Sequence, residues 1–483
     1  MTNHEKPYLE RRAFLRLAGG MAPVAFLRPG SGFAQGGRKP NIIVIVADDL
    51  GYADVGFQGL RDFETPNLDR LAASGVRFTN GYVTHPYCSP SRAGLLTGRY
   101  QQRFGHEHNP PYSPDDDRIG TPVDEVLLPQ TLREAGYRTA AVGKWHLGDA
   151  PRFLPHNRGF DEFFGFSGGG FNYYGIPGRG ERPAHIMRNG RPVPASEITY
   201  LTDDFTNEAV SFIRRNRELP FFLYLAYNAV HAPDQAPQGY IDRASHIEYG
   251  QRSVYAAMNI AMDDGIGRIT EALESNGLRE NTLICFVSDN GGRADVADNR
   301  PLRGHKGMLF EGGVRVPFLV SWPGRLPKGV TYDHPVSTLD FFPTAAAIAG
   351  ADTSKSKPLD GVNLMPYLEG RNRAAPHDTL YWREIGGQGY AVRHRRYKLV
   401  KPAAFEHEFL FDLESDPYER RDLAQRRPEV VRELKELYAR WNAHNIPPLW
   451  TDEHPQNVKR EREAVVAPRQ RALPPRTPPN QSK

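Results

Sequence analysis

The sequence predicts an α/β fold built on a large central sheet flanked by helices, followed by a smaller α+β domain, and three observations carry that prediction. From Asn41 onward, short apolar runs alternate with helix-length amphipathic stretches, the pattern of strands joined by helical crossovers. After a Ser, Lys and Pro linker at 352–358 the texture changes to closely spaced strand candidates with no helix between them. Ionisable side chains recur just past the predicted strand ends, where open α/β sheets bind their ligands.

The elements follow in order. Asn41 to Ala47 is a strand by its Ile-Ile-Val-Ile-Val run. Thr65-Pro66 caps and starts a helix that stops at Gly75. Pro129 to Ala135 reads as a short helix closed by Gly136, with a strand from Tyr137 to Val142 behind it. Asp203 to Arg217 is a helix and Phe221 to Tyr227 a strand; Ser253 to Asn276 is a long helix and Thr282 to Ser288 a very apolar strand. Val314 to Trp322 reads as a further strand, and Thr338 to Ala349 as the last helix of this block. The second block offers strands at Thr379 to Trp382, Gly389 to Arg393, Tyr397 to Val400 and Phe409 to Leu413. A Pro-initiated helix follows, Pro428 to Asn442, apolar along Val430, Val431, Leu434, Leu437 and Trp441. The expected division is 1–34 as a leader, 38–352 as the main domain, 359–445 as the smaller one and 446–483 as a Pro-rich tail.

Of the 483 residues, 61 are Lys or Arg and 57 are Asp or Glu, a net charge of +4. The excess sits at the two ends: residues 1–34 and 446–483 each carry about +3, and the body between them is slightly acidic. Composition therefore gives nucleic-acid binding no support. Two cysteines form no disulfide framework. Cys285 lies in a strand-like apolar run and reads as an inert buried thiol, whereas Cys88 lies among Tyr87, Ser89, Ser91 and Arg92. The leader, with Arg11-Arg12-Ala13-Phe14-Leu15-Arg16, a short apolar stretch and Gly32-Phe33-Ala34, resembles a bacterial twin-arginine export signal. It implies passage through the twin-arginine translocase to the periplasm or beyond. Its apolar run is too short for a stable membrane span.

Asp48 and Asp49 follow the first strand, Lys144 and His146 the second, His231 the third, and Asp289 with Asn290 the fourth. Two adjacent aspartates can face one ligand only if the strand ends there, which Leu50-Gly51 permits. Oxygen donors without a thiolate cluster indicate a hard cation, Ca²⁺ or Mg²⁺. Cys88 stands at a predicted helix start, and on the residues alone it is either a low-pKa nucleophile or a structural turn.

Cys88-Ser89-Pro90-Ser91-Arg92, running on to Leu95-Leu96-Thr97-Gly98-Arg99, resembles the signature of the type I sulfatases. Val46-Ala47-Asp48-Asp49-Leu50-Gly51-Tyr52, Gly143-Lys144-Trp145-His146-Leu147-Gly148, Ser288-Asp289-Asn290-Gly291-Gly292 and Arg303-Gly304-His305-Lys306-Gly307 resemble further motifs of that family, in the same order. The resemblance spans most of residues 41–425 and implies a mixed, alkaline phosphatase-like sheet. It implies that a formylglycine-generating enzyme oxidises Cys88 to Cα-formylglycine, and that Asp48, Asp49, Asp289, Asn290 and the modified Cys88 hold a cation, usually Ca²⁺ and less often Mg²⁺. The aldehyde hydrate would attack sulfur while Arg92, Lys144 and Lys306 neutralise the sulfate oxygens. Lys306 and His231 would protonate the departing alcohol, and His146 would accept a proton from the second hydroxyl. Ser167, in Phe166-Ser167-Gly168, matches a family position near the substrate. Gly94 departs from the alanine common there.

The function expected is hydrolysis of sulfate monoesters, of a sulfated carbohydrate or an aryl sulfate, in the manner of arylsulfatases and amino-sugar 6-sulfatases. The alternatives are a phosphonate or phosphodiester hydrolase of the same superfamily, and a noncatalytic periplasmic anion or glycan binder with Cys88 unconverted.

Overall fold

The computed structural model describes residues 38–176, 185–248 and 250–451. The expected export segment and most of the tail lie outside these residues. Twelve strands of the first block follow one another as β1 (Asn41–Ala47), β2 (Val76–Phe78), β3 (Gly81–Tyr82), β4 (Arg138–Lys144), β5 (Glu162–Phe166), β6 (Met187–Arg188), β7 (Arg191–Pro192), β8 (Phe221–Ala226), β9 (Thr282–Ser288), β10 (Phe318–Ser321), β11 (Val330–Tyr332) and β12 (Val336–Ser337). Ten of them form one sheet in the order β11-β2-β10-β9-β1-β8-β4-β5-β6-β7, and β3 pairs with β12 separately. The centre, β9-β1-β8-β4-β5, is parallel throughout. β10 is antiparallel to both neighbours, and β6 and β7 fold back as a ribbon, so the sheet is mixed.

β1 shows why the centre is parallel. All seven of its residues are buried, which only a strand covered by helices on both faces can be. Ile42, Val44 and Val46 join a core with Leu95, Leu128 and Phe342 from the helices Cys88–Thr97, Leu128–Glu134 and Phe341–Ala349. Ile43 and Ile45 join the opposite core with Leu68, Phe205 and Met258 from the helices Pro66–Ala73, Leu201–Arg215 and Gly250–Ser275.

The expected strand Val314 to Trp322 shrinks to β10. Glu311–Val314 winds into a short helix, and Pro317 has no N–H for the ladder. Because β10 runs opposite to β9, its end points away from the side where β1, β4, β8 and β9 finish. β5, the short strands β2, β6, β7 and β11 toward the sheet's two edges, and the β3–β12 pair were not expected from the sequence.

The second block holds β13 (Thr379–Glu384), β14 (Gly389–His394), β15 (Tyr397–Lys401) and β16 (Phe409–Asp412), antiparallel in sequence order. On one face Tyr390, Val392, Leu399 and Leu410 pack with Leu434 of the helix Pro428–Asn442. On the other, Trp382, Ala391, Val400 and Phe411 merge into the core of the large sheet. The chain then lies across the loop after the helix Cys88–Thr97: Ile446 N–H donates to the Gln102 carbonyl and Leu449 N–H to that of Gly105. Among the described residues no helix is long and apolar enough to cross a membrane.

Candidate active site

Two strand ends turn sharply to deliver their side chains. Asp49, two residues past β1, has φ +62°, and His146, two past β4, has φ +61°. This left-handed backbone is rare for residues with a β-carbon, and here it breaks strand alternation so that Asp48 and Asp49 reach the same space. Gly143, at φ +107° within β4, lets that strand run on to Lys144. The helix Cys88–Thr97 begins at Cys88 itself, and all ten of its residues are buried. A β-carbon at Gly94 would lie 2.5 Å from Thr84 Oγ1, which gives the glycine a packing reason.

The predicted residues converge. One ligand atom each from Asp48, Asp49, Cys88 and His231 lies within 4.8 Å of the others. Lys306 Nζ stands 2.8 Å from Asp49 Oδ2 and 3.3 Å from Cys88 Sγ. Lys144 Nζ lies 2.6 Å from Asp48 Oδ2. Arg92 Nε donates to Asp289 Oδ2 at 2.9 Å, and its terminal nitrogen lies 3.8 Å from Asp48. Asn290 Nδ2 donates to Asp49 Oδ1 at 2.8 Å, and Asp289 Oδ1 accepts from the Asp49 N–H. His231 Nε2 is 3.7 Å from Asp49 Oδ2, while its Nδ1 donates to the Ala232 carbonyl at 2.7 Å. Gly169 and Gly170 close the site: β-carbons there would fall 2.7 Å from His146 Nε2 and 3.5 Å from His231 Cε1.

Ser167 is the exception among the predicted residues. Its carbonyl accepts from the His146 N–H at 2.9 Å, and its hydroxyl bonds the Asp149 carboxylate. Ser288 was missed as a supporting residue. Its hydroxyl accepts from the Leu50 N–H and donates to the Asn290 carbonyl, tying the two acidic motifs together. A serine closing the otherwise apolar run Thr282 to Val287 was the available signal.

Burial pushes the Cys88 thiol up to about 12, although Lys144 and Lys306 pull the other way. The low-pKa thiol is therefore not what this setting produces. Burial, and then Asp48, raises Asp289 to about 6. Burial works against ionisation of Asp49, yet Lys306, with Lys144, holds it well below the usual carboxylate range. Burial and Lys306 lower His231 to about 3, and burial with Lys144 keeps His146 well below ordinary histidine. Both rings are neutral.

The donor set fits a hard cation. Asp48 Oδ1 and Asn290 Oδ1 are buried without a hydrogen-bond partner, a state that buried oxygens avoid unless something positive meets them. Cys285, by contrast, is buried in β9 with its thiol raised by burial alone.

A family model described as Sulfatase matches residues 40–351, and one described as N-sulphoglucosamine sulphohydrolase, C-terminal, matches residues 304–443. The N-acetylgalactosamine-6-sulfatase of Homo sapiens is 39% identical over 375 residues, covering 73% of this chain and 70% of that protein. Arylsulfatase A of Homo sapiens is 35% identical over 456 residues, covering 83% of this chain and 87% of that protein. The crystal structure of Ps i-CgsB in complex with k-i-k-neocarrahexaose is similar with a TM-score of 0.81 at 40% identity, covering 88% of this chain and 98% of that one.

Proposed function

The chain belongs to the sulfatase family, and from that premise we propose that it hydrolyses sulfate monoesters of a sulfated carbohydrate with residue 88 converted to Cα-formylglycine. The observation that carries this reading is the convergence of Asp48, Asp49 and Cys88 with three buried or half-buried cations at one sheet mouth. The resemblance to a structure holding a neocarrahexaose supports a carbohydrate substrate.

Asp48, Asp49, Asp289, Asn290 and residue 88 would hold the cation, Ca²⁺ by the number of oxygen donors and Mg²⁺ less readily. Bound there, it would supply positive charge against the sulfate oxygens. The aldehyde hydrate of residue 88 supplies the nucleophilic oxygen, whereas the unconverted thiol has none and, raised to about 12 by burial, stays un-ionised near neutral pH. Arg92 and Lys144 hold the carboxylates in place and present charge to a tetrahedral anion. Burial opposes the charge on Lys306, but Asp49 raises it well above ordinary lysine, so it enters the reaction protonated and can give that proton to the departing alcohol. His231, with Nδ1–H committed to the Ala232 carbonyl, presents a bare Nε2 on the Asp49 side of the site. His146, neutral, accepts a proton from residue 88. The leader sequence supports export by the twin-arginine route and a place in the periplasm or outside the cell.

The test is side-by-side turnover of an aryl sulfate and an aryl phosphodiester by Ca²⁺-loaded protein coexpressed with a formylglycine-generating enzyme. The mass of the residue-88 peptide is read in the same sample; conversion lowers it by about 18 Da. Sulfate release that tracks conversion supports the reading. Preference for the phosphodiester, or no turnover by converted protein, overturns it.

A further inference from the structure

The left-handed backbone of His146 is held from both sides. Its N–H donates to the Ser167 carbonyl at 2.9 Å, and its own carbonyl accepts from the Ser89 hydroxyl. Ser89 is the residue after Cys88, on the first turn of the same helix. Its oxygen also lies 2.6 Å from His106 Nε2. A hydroxyl has one proton, and that of Ser89 is committed to the His146 carbonyl. The imidazole must therefore be the donor at Nε2. His106 Nδ1 is then bare and accepts from the Thr121 hydroxyl at 2.9 Å. Ser89, His106 and Thr121 thus each give their side-chain proton to an acceptor. The Thr121 N–H returns to the carbonyl of Leu147, the neighbour of His146, at 2.9 Å.

This arrangement is shut off from bulk solvent. Ser89, His106 and Thr121 are each fully buried. Burial lowers His106 to about 3, in keeping with a neutral ring that uses one nitrogen as donor and the other as acceptor. Trp450 covers it from the C-terminal segment: its ring meets His106 edge-on at 4.7 Å, and its Nε1–H donates to the His108 carbonyl at 3.1 Å.

We infer that Ser89, His106 and Thr121 form a positioning relay that fixes the backbone of His146, so that its ring faces residue 88 in one orientation. The inference rests on the reading of His146 as proton acceptor. Ser89 and His106 touch neither substrate nor cation; they act through His146.

The test measures aryl sulfate turnover by Ca²⁺-loaded protein, with rates expressed per converted residue 88 so that altered conversion of the Ser89 variants does not enter. Ser89→Ala should lower kcat about 10- to 100-fold with KM within about twofold, the scale seen when the partner that orients an active-site histidine is removed. Ser89→Thr, which keeps the hydroxyl, should recover most of that loss. His106→Gln, which keeps an N–H where Nε2 stands, should retain more activity than His106→Leu. In a His146→Ala background, Ser89→Ala should add nothing to the residual rate. Wild-type kcat in Ser89→Ala, or an undiminished effect of Ser89→Ala without His146, overturns the relay. Full turnover by His146→Ala overturns the reading of His146 itself.

Discussion

Asp49 is gripped by Lys306 and Asn290, with His231 and the Cys88 sulfur close by. A fully buried carboxylate with that many partners is a charge the site is built around. Asp49→Asn keeps the shape and removes the charge, leaving Lys306 without its counter-ion. If Asp49 holds the proposed cation, bound Ca²⁺ measured by calorimetry and aryl sulfate turnover should both fall, turnover by at least about 100-fold, beyond the loss typical of an outer partner. A second residue-scale prediction lies away from the site. Burial disfavours the charged ring of His377, but Asp340 Oδ1 at 2.7 Å more than offsets it and raises the histidine above its ordinary value. A raised histidine contributes stability in full below about pH 6.5, its unfolded value, and loses that contribution as pH climbs through the folded value. His377→Gln should therefore cost more in urea denaturation at pH 6 than at pH 8.5. An equal cost at both would show that the ring does not titrate with folding.

At the scale of the element, β4 shows what a sequence does and does not disclose. Its apolar start was legible as Tyr137 to Val142, and the run was expected to stop where Gly143 interrupts it. The strand instead continues to Lys144, because Gly143 takes φ +107° where a β-carbon would sit 1.9 Å from the Ala226 carbonyl oxygen of β8. Only the neighbouring strand explains that glycine, and a neighbour is not written in the local pattern. Gly143→Ala should destabilise the fold by about 2–4 kcal/mol, combining the strained φ with the clash. It should also move Lys144 off Asp48, so turnover should fall further than the folded fraction does, read by thermal unfolding beside kcat. The acidic motifs were legible because each is a pair of adjacent residues at the end of a strongly apolar run. Two-residue strands such as β6 and β7 carry no period to detect, and β10 was overextended because Val314 and Val316 are as apolar as a strand although they belong to a helix and a loop.

Across the whole molecule, the two sheets are joined by buried charge as well as by apolar packing. Lys398 of β15 is fully buried, with Nζ 2.8 Å from Glu311 Oε1 and 3.1 Å from Glu419 Oε1. The Glu311 N–H donates to Glu419 Oε2 at 2.8 Å, and the Tyr82 hydroxyl donates to Glu311. Glu311 opens the short helix that follows the Lys306 loop, so the smaller sheet anchors the segment carrying Lys306. None of this was legible, since Lys398 reads as an ordinary strand lysine until its partners, 87 residues away at Glu311, are folded against it. Lys398→Met should cost about 3–5 kcal/mol by removing the cation that two buried carboxylates share, leaving Glu311 with Arg315 at 3.4 Å. Lys398→Met with Glu419→Gln should recover part of that in thermal unfolding.

The helix that starts at residue 88 has no exposed side chain anywhere along its length. An oxidising enzyme that must grasp the cysteine and its flanking residues finds nothing to hold once this helix has docked. On the proposed conversion of residue 88, maturation would thus be a race won only by a nascent or unfolded chain: native thiol protein mixed with the converting enzyme should stay a thiol, whereas the same chain offered as a peptide should turn into aldehyde.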